Sequence, residues 1–161
     1  MEFFAVARVS ISPEDLRARI NLASLPDYCE SFALVDCLAG ETCEVESVWG
    51  RFQVVRQEIT GGLRFTMPTC PNCFAWTITT GLPPDPGKVV VHGTINRRDH
   101  EAWFIESMEE FVQQWRAGLE HIIGGRDDSS RRKVEPCPCL AALMPAKPPA
   151  AVAFPPPPGK K

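Results

Sequence analysis

A chain of 161 residues with 44% hydrophobic content can bury one ordinary core and still have chain to spare. Its net charge of −3 is unevenly spread: residues 126–161 carry seven basic and three acidic side chains, a net of +4, which leaves −7 for residues 1–125. A folded part this acidic argues against nucleic acid as a partner, because phosphate contacts need a basic surface. No apolar run approaches the ~18 residues of a membrane span, so no membrane partner is expected either.

The N-terminal stretch MEFFAVARVSISPEDL has an acid at position 2, no basic leader and an apolar run broken by Arg8. It does not read as a signal peptide. Seven cysteines, an odd number, then suggest reduced thiols and a cytoplasmic protein rather than a disulfide framework.

Residues 3–11 (FFAVARVSI) are aromatic and β-branched and predict a strand. Ser12 can cap the helix that follows, Pro13 suits its first position, and Glu14 and Asp15 suit its positive end. About three turns are expected, burying Leu16 and Ile20 and ending at Pro26-Asp27. Residues 31–38 and roughly 44–59 read as extended, Phe52 and Val54 facing opposite to Arg51 and Gln53. Gly61-Gly62 marks a tight hairpin, since a type I′ turn needs positive φ. On the return strand Leu63, Phe65 and Met67 share a face.

Beyond Pro68 comes Cys70-Pro71-Asn72-Cys73, then an alternating strand with Phe74, Trp76 and Ile78 on one side. Residues 81–87 (GLPPDPG) form a loop, and 88–96 (KVVVHGTIN) the next strand. Asp99 can cap a long helix over 100–123, with Phe104, Met108, Phe111, Trp115, Leu119 and Ile122 in one apolar stripe. Gly124-Gly125 ends it. The order β-α-β-β-β-β-β-α predicts an α+β fold. It is an antiparallel sheet of about five to six strands with a short N-terminal and a long C-terminal helix on one face. The globular domain spans 1–125. Residues 126–161 hold nine of the sixteen prolines and predict a disordered, basic, Pro-rich tail.

The cysteine pair carries the main chemical question. Cys-Pro-Asn-Cys resembles the knuckle of zinc-ribbon proteins, which turns two thiolates toward one metal, although Phe74 stands where such knuckles usually have glycine. A structural zinc needs four ligands. Pairing 74–80 with 88–95 puts residue 73 opposite about 96 and residue 70 near 99 or 100, so His100 is the natural third ligand. Cys70, Cys73 and His100 with one of Cys29, Cys37 or Cys43 would make a zinc site. A thiol redox role needs a helix after the pair to lower the first pKa, and FAWTITT predicts a strand instead. The plainest reading is two reduced thiols in a turn. Asp99-His100-Glu101 reads as helix capping, or as a general-base or metal set. Trp49, Trp76, Trp103 and Trp115 read as core, with one or two free to line a pocket. In the tail, Phe154-Pro155-Pro156-Pro157-Pro158 resembles ligands of EVH1 domains, and residues 155–160 an SH3-type PxxPxK pattern.

No nucleophile elbow, P-loop or dinucleotide fingerprint is present. The expectation is therefore a non-catalytic binding, accessory or regulatory protein acting on another protein or a small ligand. The alternatives are a zinc-stabilised accessory protein with a Cys-Pro-Asn-Cys knuckle and, behind it, a thiol redox protein.

Overall fold

A computed structural model describes residues 1–38, 40–83, 85–96 and 99–125. The proposed tail over 126–161 lies outside them. Strands β1 (Glu2–Ala7), β2 (Phe32–Cys37), β3 (Thr42–Ser47), β4 (Gly50–Ile59), β5 (Gly62–Thr66), β6 (Ala75–Thr79) and β7 (Val89–Thr94) form one antiparallel sheet in the order β1-β7-β6-β5-β4-β3-β2. Helices α1 (Pro13–Arg19), α2 (Leu25–Tyr28) and α3 (Ala102–Leu119) complete an α+β fold. No helix is long and apolar enough to cross a membrane among the described residues.

The described residues form seven strands, not five to six. The segment read as one extended run over 44–59 is a hairpin: Ser47 pairs with Gly50, and only Val48 and Trp49 form the loop. Gly50 sits at φ +118, a conformation side chains disfavour, which is why so short a reversal is feasible here. The β4–β5 turn is also displaced by one residue. Ile59 pairs with Gly62, so the loop is Thr60-Gly61, with Gly61 at φ +82.

Ser12 caps α1 as its sequence implies, its hydroxyl accepting from the Asp15 amide at 3.0 Å. The helix stops at Arg19, however, and Pro26 opens a second helix instead of closing the first. A capping box between Asn21 and Ser24 separates the two. A proline in the first turn leaves no amide unpaired, so it starts a helix as readily as it ends one. The carbonyl end of α1 is held by Arg56 of β4. This side chain, 8% exposed, donates to Ile20 O at 3.0 Å and Arg17 O at 2.7 Å, and its other edge meets Glu41 and Glu58. Arg56 pairs across the sheet with Phe65, which packs on α3 through Trp115, so α1 and α3 cover the same face.

The stripe of α3 is as expected, with Phe104, Met108, Phe111, Val112, Trp115 and Leu119 buried. Its start is not. Glu101, rather than Asp99, occupies the capping position, and no side chain caps the helix. Its last turn widens to a π-type turn over Glu120–Gly124. Midway along the core, α2 and α3 touch backbone to backbone: a Cβ at Gly118 would overlap the Tyr28 carbonyl. Alanine at an ordinary helix position is better than glycine by about 1 kcal/mol. Here steric overlap dominates, and we expect Gly118→Ala to cost about 1–3 kcal/mol. A lower urea midpoint checks this; an unchanged or higher midpoint would mean that α2 can back away freely.

Candidate functional site

The Cys-Pro-Asn-Cys segment is a compact double turn between β5 and β6. The Cys70 amide donates to Met67 O at 3.0 Å, the Cys73 amide to Cys70 O at 3.0 Å, and Met67 N to Phe74 O at 2.9 Å. Thr69 ties the loop to β4 by accepting from the Gln53 amide. Cys73 takes φ +47, left-handed backbone that few residues other than glycine and asparagine adopt. Two bonds to the end of β7 hold it there: Asn96 N donates to Asn72 O at 3.0 Å, and Asn96 Nδ2 to Cys73 Sγ at 3.3 Å. No helix follows the pair, because Phe74 leads directly into β6.

The hairpin register matches the sequence expectation. Ala75 pairs with Thr94 and Thr77 with His92, so position 73 lies opposite Asn96. Cys70 and His100 accordingly line one cavity. Cys73 does not join them; its thiol is exposed and faces Asn96. Among the described residues no three His, Cys, Asp or Glu side chains converge to hold a metal ion. No hydrogen bond links Cys70 to His100 among those residues.

The cavity has a volume of about 340 Å³ and is mostly aromatic. One wall is Trp49, carried on the β3–β4 loop over the N-terminal half of α3. Its indole N–H donates to Ser107 Oγ at 2.8 Å, and Ser107 in turn donates to Phe104 O at 2.7 Å. The ring packs against Phe74 at 5.6 Å, Phe111 at 5.5 Å and Phe104 at 6.3 Å. The opposite wall is α3 itself, with Trp103, Phe104 and Met108, and Phe52 together with the Cys70–Asn72 turn closes the rim. His100 lies with its ring 4.6 Å from that of Phe104. Its Nε2 is screened from solvent and has no hydrogen-bond partner among the described residues. An unpaired ring nitrogen keeps one hydrogen bond to make, and a turn of the half-buried ring would present it to a ligand atom.

Sequence reasoning had Cys70 and His100 but placed Trp49 on a strand. The Trp49-Gly50 pair at a hairpin tip was the available signal. Trp76 and Trp115 are core, as expected, whereas Trp103 is 58% exposed at the cavity edge.

Cys29 and Cys43 are buried. Burial pushes the thiols of Cys29 and Cys43 up from 9.0 to about 12. Cys29 also donates to Gln114 Oε1, which accepts from Ser31 N and Ser31 Oγ as well.

No protein-family model matches this chain, and no curated protein matches it. Solved structures share its fold, three of them as follows. XoxI from Bacillus cereus superposes with a TM-score of 0.56 at 13% identity, over 76% of this chain and 94% of that one. An uncharacterized protein from Bacillus thuringiensis gives 0.52 at 13% identity, over 78% and 98%. The protein MLL2253 from Mesorhizobium loti gives 0.55 at 14% identity, over 80% and 100%. At these identities the likeness extends to the fold alone.

Two outcomes follow from the thiols. In maleimide labelling of the native protein, Cys73→Ser should remove one rapidly modified site, whereas Cys29→Ser and Cys43→Ser should remove none; mass spectrometry of the labelled peptides reads this. The pH dependence has a definite sign. Unfolded Cys29 and Cys43 ionise near 9.0 while the folded thiols keep their protons to about 12. Between those values the unfolded chain binds fewer protons, so stability falls as pH rises. The urea midpoint should drop between pH ~8 and pH ~10.5, and less steeply in the Cys29→Ala, Cys43→Ala double variant. Equal slopes would refute the assignment.

Proposed function

We propose that the protein acts by binding, not by catalysis, and that the cavity under Trp49 receives its ligand. The supporting observation is an aromatic chamber of about 340 Å³ lined by His100, whose Nε2 lacks a partner among the described residues. Such a chamber suits an aromatic ring bearing one polar atom, the ring against the lining side chains of Trp49, Phe52 and Trp103 and the polar atom at His100. The ring can belong to a small molecule or to a side chain of a protein partner. Both fit a binding, accessory or regulatory role, and the size falls within that of ordinary ligand sites, ~300–1,000 Å³.

Phenol is the simplest probe. NMR titration should move the amides of residues 70–74 and 100–108, and toluene should bind at least about tenfold more weakly, since it leaves the imidazole unpaired. Trp49→Ala should abolish both responses. Equal binding of toluene and phenol, or shifts elsewhere on the domain, would overturn the assignment.

A second reading rests on Cys70 and His100 sharing this cavity. Zinc bound there would need Cys73 to leave Asn96 and a further ligand to arrive. Zinc near one equivalent in purified, tag-free protein would favour this reading, and a content near zero would eliminate it.

A further inference from the structure

A separate groove lies on the other face of the sheet. Residues of even number on β1 point away from α3, so Phe4 and Val6 are exposed at 56% and 44%. Val6 pairs with Val90 of β7, and Val90 with Thr79 of β6, giving a continuous floor across three strands. Phe4 stands in the next row, stacked on His92 at 4.2 Å and 5°. Leu82 and Pro83 from the β6–β7 loop wall one side of a groove of about 610 Å³.

Charge distinguishes this groove from a bare apolar patch. Arg8, Lys88 and Arg116 line it, against a single acid, Asp85. Asp85 is already engaged: its salt bridge to Lys88 holds its carboxyl below the usual range. Neither the Arg8 nor the Arg116 guanidinium has a carboxylate partner among the described residues. The nearby Glu120 carboxylate accepts from the Arg8 backbone amide instead. Two guanidinium groups without a carboxylate partner among the described residues therefore border an exposed apolar floor, on a domain whose overall charge is negative.

We propose that this groove binds a small anionic amphiphile, an aliphatic carboxylate whose chain lies on Phe4, Val6 and Val90. Its carboxylate sits between Arg8 and Arg116, where charge-assisted hydrogen bonds to a planar guanidinium are favourable. The apolar floor supplies affinity for the chain, and the two arginines select for the anion. The site is independent of the Trp49 cavity and does not rest on the function proposed for it.

Decanoate, decanol and acetate, titrated into the full chain by calorimetry, test the proposal. Decanoate should bind with one site per chain, decanol at least about tenfold more weakly, and acetate not measurably. An Arg8→Gln, Arg116→Gln double variant should lose at least about tenfold in decanoate affinity while its decanol affinity is unchanged. Val6→Ser should weaken both. Trp49→Ala should leave decanoate binding intact, which separates failure here from failure of the other cavity. Both arginines are at the surface, so the double variant should keep the wild-type circular dichroism spectrum. Equal affinity for decanoate and decanol, no loss in the arginine double variant, or loss in Trp49→Ala would each overturn the assignment.

Discussion

The structure depends on the contacts of one residue, Trp76. Its ring touches Phe65 at 5.0 Å and Phe74 at 5.3 Å within the sheet, and Phe111 at 5.4 Å and Trp115 at 6.3 Å on α3. It also meets Phe32 of β2 at 5.4 Å. Strand β2 lies four places from β6, which in a flat sheet would separate them by about 19 Å. The sheet must therefore coil strongly around α3 to bring Phe32 back to Trp76. The buried indole N–H groups of Trp76 and Trp115 find no partner among the described residues, a cost of roughly 1–3 kcal/mol each. The ring packing outweighs it, since such aromatics contribute both area and edge-to-face attraction.

The same coil creates the candidate cavity. It carries the β3–β4 hairpin inward until Trp49 reaches Ser107 on α3, so the tip of a surface hairpin becomes a wall. The rest of the chamber comes from a local device. The double turn through Cys70 and Cys73 bends the chain between β5 and β6, with the strained backbone at Cys73 restrained by Asn96. The cysteine at position 73 thus has a structural role in this geometry, accepting a hydrogen bond at the end of β7. The thiol that faces the cavity is Cys70, and it does so beside the aromatic rings and His100.

Much of this was legible in the sequence because it follows local rules. The α3 stripe, the alternation through Phe74, Trp76 and Ile78, the Ser12 cap and the pairing of Thr77 with His92 are set by period, capping chemistry and loop length. These act over a few residues, and nothing distant overrode them. The misreadings share another cause. Pro26 is acceptable at either end of a helix, and only the packing of Tyr28 on Gly118 decides for a second one. Trp49 has strong strand propensity, and its place in a two-residue loop is set by Gly50. Asp99 can cap a helix, but the chain turns into α3 two residues later. The role of Trp49 was hidden because a contact with residue 107 depends on sheet curvature, which no single-strand pattern encodes.

Curvature and side-chain size also explain the groove on the opposite face. The inward side of β1 carries small residues, Ala5 and Ala7, both buried. Small side chains let a helix approach a strand closely, and α3 packs against this edge strand. Among the described residues no further strand lies beyond β1 to block the way. A long side chain from α3 can therefore pass the sheet edge, and Arg116 lines a groove whose floor belongs to the face α3 does not cover. Larger residues at positions 5 and 7 would push α3 outward and withdraw that guanidinium from Arg8. The share of the groove's cationic border that Arg116 supplies thus depends on two alanines buried on the other side of the sheet.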